Sequence, residues 1–285
     1  MIIDIFMKPL IVANWKMNPI SRKQAEHLFE SIRKEICGIQ NVEVVLCPPF
    51  IYLDFISKKT SKDIKLGGQN IFWDRQGPYT GEISPQMLKD IGCDYVILGH
   101  SERKKNFKET SEIINKKIKA VIKSRLKIIL CVGEESRNSF DKNGRWTGEV
   151  DLVLREQVLQ CLEGIDEPQI ANIIIAYEPI WAISTTENGC VATPNDALSA
   201  SLLIRKTMHQ KYNEKIARSL RILYGGSVDS KNAIDFMKED GIDGVLVGGA
   251  SINSSEFVRL VKAVSGQYLS AEQKVVGGQV VVNRF

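Results

Sequence analysis

Short apolar runs alternate with longer amphipathic stretches along this chain, and the alternation predicts its elements. The apolar runs, read as strands, are Leu10–Ala13, Val42–Cys47, Ile64–Leu66, Tyr95–Leu98, Ile128–Val132, Ile173–Tyr177, Ile222–Tyr224 and Gly244–Val247. Most are nearly unbroken by polar residues, the pattern of strands buried on both faces. Between them lie helical patterns at Ser21–Ile36, Ile51–Ser57, Pro85–Ile91, Ser111–Lys123, Val150–Leu162, Asp196–Tyr212, Lys231–Lys238 and Ser254–Val264. Some carry start or stop signals. Ser21 with Gln24 three residues on resembles a capping box, Pro85 follows Ser84 as a first-turn proline would, and Gly92 sits where a helix-ending glycine belongs.

Eight strand–helix units, spaced roughly thirty residues apart as βαβ repeats require, follow one another without a linker. That favours one closed barrel of parallel strands over two doubly wound sheets. The 285 residues also suit such a barrel, which typically needs about 250. The expected fold class is therefore α/β, a single (β/α)8 barrel over residues 8–264, with a short extension over 1–7 and an extra tail over 265–285. The tail's last part, Lys274 to Phe285, reads as a hairpin about Gly277-Gly278. Two strands alone are marginal in water, so the tail is expected to dock on the barrel or a partner, or else to stay disordered.

Composition narrows the class without choosing a chemistry. Hydrophobic residues make up 44% of the chain, and the net charge is only +4, with no basic run that would mark a nucleic-acid surface. No apolar segment approaches the eighteen or so residues of a membrane span. The start, Met1 to Met7, lacks the basic region and small-residue cleavage site of a secretory signal, so the expected location is the cytoplasm. The six cysteines are scattered, with no paired spacing that suggests disulfides or structural zinc.

Chemistry enters at the carboxyl ends of the strands, where barrels of this type build their sites. The run Ile170–Ala176 ends in Tyr177-Glu178-Pro179, which puts an acid where a proline stops the strand. The other strand ends bring Asn14 and Lys16, Gln69-Asn70, Gly99-His100-Ser101-Glu102, Gly133-Glu134, Gly225-Gly226-Ser227 and Gly248-Gly249. Taken singly, each has a bland explanation: a solvated lysine, a structural histidine, a turn glycine, a serine capping the next helix. Their meeting at one rim is what those explanations do not predict. Glu178 would take a proton from carbon while Lys16 and His100 stabilise the developing enediolate oxygens. The glycine pairs after the seventh and eighth strands would cradle a phosphate. No dinucleotide fingerprint or Walker loop is present. An aldolase-type barrel would use Lys16 as a Schiff-base nucleophile, but would leave Glu178 and His100 without roles.

These segments resemble the triosephosphate isomerase family from about Lys8 to Val264. The matching stretches are Val12-Ala13-Asn14-Trp15-Lys16-Met17-Asn18, Gly68-Gln69-Asn70, Tyr79-Thr80-Gly81-Glu82-Ile83-Ser84, Leu98-Gly99-His100-Ser101-Glu102-Arg103 and Leu130-Cys131-Val132-Gly133-Glu134. They continue in Ala176-Tyr177-Glu178-Pro179-Ile180-Trp181-Ala182-Ile183, Leu223-Tyr224-Gly225-Gly226-Ser227-Val228 and Leu246-Val247-Gly248-Gly249-Ala250-Ser251. The resemblance implies a cofactor-free and metal-free interconversion of D-glyceraldehyde 3-phosphate and dihydroxyacetone phosphate. It implies Glu178 as base, neutral His100 as electrophile, Lys16 and Asn14 polarising the carbonyl, and Glu102 as an acid beside Lys16. Phosphate would meet backbone N–H groups at Ser184, Ser227, Gly248 and Gly249. It further implies a homodimer in which the Thr80 loop inserts beside the neighbouring subunit's site.

One segment departs from the family pattern. The lid after Glu178 usually ends Gly-Thr-Gly, but here it is longer and runs Ser184-Thr185-Thr186-Glu187-Asn188-Gly189-Cys190-Val191-Ala192-Thr193-Pro194. Asn188-Gly189 before Ala192-Thr193-Pro194 is also similar to related isomerases of four-carbon erythrulose phosphates, which sets tetrulose phosphate as the alternative substrate. One carbon is worth only about 1–3 kcal/mol of discrimination. A non-catalytic relative that binds a phosphate ligand is the remaining alternative, opposed by the intact Asn14, Lys16, His100 and Glu178.

Overall fold

Eight parallel strands pair in chain order and the eighth returns to the first, closing a barrel. They are β1 (Leu10–Asn14), β2 (Glu43–Cys47), β3 (Ile64–Gly68), β4 (Tyr95–Leu98), β5 (Lys127–Val132), β6 (Ile173–Tyr177), β7 (Arg221–Tyr224) and β8 (Gly244–Val247). The computed structural model describes residues 7–136, 149–183 and 191–276, in backbone only at 149–150 and beyond 266. Closure runs through the register Leu10↔Gly244 to Ala13↔Val247.

Successive strand residues point to opposite faces, so a closed sheet sorts each strand into an inner and an outer set. Leu10, Val12, Val45, Cys47, Tyr95, Ile97, Ile129, Cys131, Ile174, Ala176, Leu223 and Leu246 form one buried cluster that fills the barrel. Their strand neighbours, including Ile11, Leu46, Val96, Leu130, Ile175 and Val247, join the larger cluster beneath the helices. Both faces are thus dry, which explains the unbroken apolar runs. Four of the buried cysteines, Cys47, Cys93, Cys131 and Cys161, behave as small apolar residues of these clusters, and burial pushes their thiols up.

The helices follow the expected pattern with particular differences. Helix Arg22–Ile36 buries Ala25, Leu28, Phe29, Ile32 and Ile36, and Ser21 caps it by accepting from the Gln24 N–H at 3.3 Å. Ser84 caps helix Pro85–Asp90 in the same way through Met87. Helix Ser101–Phe107, directly after His100, has no counterpart in the periodicity because its charged sequence lacks an apolar stripe. The last helix runs Ser254–Val276, well past residue 264. Lys274 to Val276, expected in the first arm of a hairpin, is therefore helical, and 277–285 lies outside the described residues. Asn41 and Ser265 fix this helix to the start of the β2 unit: Asn41 Nδ2 donates to Ser265 O at 2.9 Å and Ser265 Oγ donates to Asn41 Oδ1 at 2.8 Å.

The amino end of the barrel is sealed by charge. Glu43 accepts from the Tyr95 hydroxyl and, at 2.8 Å, from Arg221, while Lys127 Nζ lies 3.1 Å from the Tyr95 oxygen. Burial raises the Glu43 carboxyl, but the Tyr95 and Arg221 hydrogen bonds and the nearby cations outweigh it and leave the group below its ordinary 4.5. A depressed carboxylate adds stability above its unfolded value and loses it as pH falls through the folded one. Glu43→Gln should therefore cost about 1–3 kcal/mol near neutral pH. Thermal melts across a pH series should show the gap from the parent shrinking below pH 4.5; a gap that stays constant into acid would contradict the assignment.

Candidate active site

The inward parity of the strands carries directly into the mouth. Val12 is followed two residues on by Asn14, Ala176 by Glu178, Leu223 by Gly225 and Leu246 by Gly248. All four line one cavity of about 260 Å³ at the carboxyl end, together with Lys16, His100, Gly226, Ser227 and Gly249. The structure thus brings together every expected site residue in the described range except Glu102, which reaches the cavity only through Lys16. Ser184 lies outside the described residues, as does the lid stretch 184–190.

Glu178 is the most enclosed of the ionisable groups here, at 2% exposure. Its Oε1 lies 3.0 Å from His100 Nε2, and its Oε2 accepts from the Ser101 N–H at 2.9 Å. His100 is the N-cap of helix Ser101–Phe107, and its Nδ1 accepts from the Glu102 N–H at 3.2 Å. That bond fixes the tautomer, because Nδ1 must supply the lone pair and Nε2 is left to carry the proton toward Glu178. Gly99 makes the placement possible. Its φ of +69° turns the chain sharply after β4 and breaks the alternation that would have pointed His100 away.

Lys16 reaches in from the loop after β1 with a left-handed backbone, φ +53°. Non-glycine residues adopt this conformation only where neighbours hold it, and three groups do so. The Lys16 N–H donates to Asn14 Oδ1 at 3.0 Å, Gln69 Nε2 donates to Lys16 O at 2.8 Å, and Lys16 Nζ meets Glu102 Oε1 at 2.5 Å. The aliphatic stem passes close to Gly248 at the end of the neighbouring β8.

The strand end carrying the base is gripped from β5. Gly133 packs so closely on the Glu178 peptide that a Cβ there would lie 1.7 Å from Glu178 O, which admits only glycine. Glu134 then takes hydrogen bonds at 2.7 Å from both the Tyr177 hydroxyl and Trp181 Nε1, and its carbonyl accepts from the Ile180 N–H at 3.0 Å. Burial pushes the Glu134 carboxyl up despite these donors. Sequence reading placed Glu134 at this rim but did not find its tie to Trp181 and Tyr177. The only available signal was a second acid at a strand end beside an apolar, Trp-bearing loop.

A buried carboxylate facing an imidazole N–H, a nearby ammonium and a glycine-lined floor suits proton transfer next to an anchored anionic group. The comparisons with known proteins agree. A family model described as triosephosphate isomerase matches residues 9–264. The triosephosphate isomerase of Alkaliphilus oremlandii is 44% identical over 260 residues, covering 89% of this chain and 98% of the relative. That of Dictyoglomus thermophilum is 43% identical over 258 residues, covering 90% and 99%. That of Endomicrobium trichonymphae is 42% identical over 256 residues, covering 90% and 98%. With a family model matched over residues 9–264 and relatives covered almost end to end, this chain belongs to the triosephosphate isomerase family.

Proposed function

We propose that this chain interconverts D-glyceraldehyde 3-phosphate and dihydroxyacetone phosphate through an enediolate, with Glu178 as base and His100 as the donor to the developing oxygen charge. The observation that carries the reading is the Glu178–His100 pair at 3.0 Å inside the mouth. Aldose–ketose isomerisation moves a proton between adjacent carbons and transiently loads charge onto their oxygens. A substrate oxygen that accepts the His100 Nε2 proton takes the place of Glu178 Oε1, freeing that carboxylate oxygen to face the carbon. Lys16, with Asn14 setting its backbone, supplies positive charge on the same side, and Glu102 holds the ammonium in place. The floor at Ser227, Gly248 and Gly249 is where backbone N–H groups would meet the phosphate. Ser184 is assigned to the same phosphate contact from the family pattern alone. The uniform naming of the relatives as triosephosphate isomerases favours the three-carbon substrate over the tetrulose alternative.

A homodimer belongs to the same proposal. The loops following β1, β2 and β3 lie in adjacent sectors of the barrel and expose Met17, Ile20, Ile51 and Tyr79. The projecting Thr80 loop is stiffened by Phe72, stacked on Trp73 at 4.0 Å and tilted against Tyr79 at 4.2 Å. An apolar sector beside a rigid finger matches a second copy of the chain, the finger seating near the partner's Lys16 region.

The direct test is kcat/KM for D-glyceraldehyde 3-phosphate beside L-erythrulose 1-phosphate. The triose value should approach the diffusion ceiling of about 10⁸ M⁻¹s⁻¹, and a stronger tetrulose rate would move the substrate assignment. Glu178→Asp draws the base back by one methylene and should lower kcat about 100-fold or more while KM changes little; unchanged turnover would remove Glu178 from its role. Sedimentation should give twice the chain mass, and Met17→Glu with Ile51→Glu should return it to one chain mass. A parent sedimenting as a monomer would refute the dimer.

A further inference from the structure

His100 follows β4 and Glu178 follows β6, and these strands are not neighbours: β5 stands between them. The end of β5 therefore lies between base and imidazole, and the first residue past that end is Gly133. The ladder to β6 stops at Val132↔Tyr177, one residue earlier. Beyond it, the Gly133 peptide groups are taken by a single side chain, Gln157, from helix Glu149–Cys161. Gln157 Oε1 accepts from the Gly133 N–H at 3.0 Å, and Gln157 Nε2 donates to Gly133 O at 2.8 Å. A primary amide here replaces the strand partner that Gly133 lacks.

The same amide reaches the other half of the pair. Gln157 Oε1 also accepts from Lys104 Nζ at 3.1 Å, and Lys104 donates in addition to Cys131 O at 3.2 Å. Lys104 lies in the short helix whose N-cap is His100 and whose first residue, Ser101, gives its N–H to Glu178. Packing of helix Glu149–Cys161 on the barrel is supplied by Leu154, Val158 and Cys161, so this Gln is not needed to dock the helix. Nor does it touch the cavity.

We infer that Gln157 is a positioning residue for the reaction. It locks Gly133 beneath the Glu178 main chain and ties Lys104 to it, and so fixes the base relative to the His100 and Ser101 donors. The inference rests on Glu178 being the base. A misplacement of about 1 Å at a reacting group can cost 100-fold in rate, so a side chain acting only on this distance can have a large effect.

Gln157→Met keeps the volume and removes all three hydrogen bonds. In the full chain, kcat on D-glyceraldehyde 3-phosphate should fall about 10- to 100-fold. Substrate deuterated at C2 should show a larger isotope effect on kcat than with the parent, because proton abstraction becomes limiting. The inhibition constant of inorganic phosphate should hold at the parent value, since its floor hangs from β7 and β8. Lys104→Met, which removes the Lys104 bonds to Gln157 and Cys131 O but leaves Gln157 on Gly133, should give a smaller loss of the same kind. If Gln157→Met does not fold, Gln157→Glu carries the same test, keeping the acceptor for the Gly133 N–H and Lys104 and setting a carboxylate oxygen against Gly133 O in place of the donor. A folded variant with the parent's kcat and isotope effect overturns the inference. So does a kcat loss matched by lost phosphate affinity, which marks general loosening. An inactive parent chain would instead strike down the assignment of Glu178 itself, before any variant is read.

Discussion

Burial of every strand on both faces is the constraint on which this molecule depends. A parallel sheet closed on itself has no solvated side, so each strand must offer apolar residues inward and outward at once. The inner set fills the barrel from Leu10 to Leu246 and the outer set docks the helices. The same two-residue period, continued one step past the ladder, hands Asn14, Glu178, Gly225 and Gly248 to the mouth. Chemistry and packing share one register, and a one-residue slip in β6 would turn the acid away from the cavity as surely as it would turn Ala176 out of the barrel interior.

Charge is managed differently at the two ends. At the amino end Glu43 is paired with Tyr95, Lys127 and Arg221 in one hydrogen-bonded cluster. At the carboxyl end Glu178 and Glu134 are buried against donors that are neutral, namely an imidazole, a peptide N–H, a phenol and an indole. Neutral donors orient a carboxylate without the ion pairing that a bidentate arginine would bring. Among the described residues that line the mouth, the one strong cation, Lys16, is turned instead onto Glu102.

Much of this was legible in the sequence because the signals were local. β4, β6 and β8 have the bounds that their apolar runs indicate. β3 runs two residues past its apolar run, through Gly67 and Gly68, where Cys47 Sγ and Leu88 leave no room for a Cβ. Asn14, Lys16, His100 and Glu178 stood out because polar residues directly after buried strands have few structural reasons to be there. Helix Ser101–Phe107 was hidden because it is made by the cap at His100 and not by an apolar stripe. Gln157 was invisible for a different reason: a glutamine on an amphipathic helix carries no signal of its own, and its meaning comes from a glycine distant in the chain.

The pairing of β8 with β1 joins residues at nearly opposite ends of the sequence, Leu10 with Gly244. A growing chain emerging from amino to carboxyl end therefore carries an unpaired β1 edge until almost all of it has been made. An exposed parallel edge rich in branched residues is a template for mispairing, and such distant contacts are slow to form because loop-closure entropy must be met first. The last helix, bonded to Asn41 through Ser265, seals the same seam from outside. Synthesis of the final unit is thus the event that turns an open-edged sheet into an edgeless one, and truncation there would threaten solubility along with the Gly248–Gly249 floor.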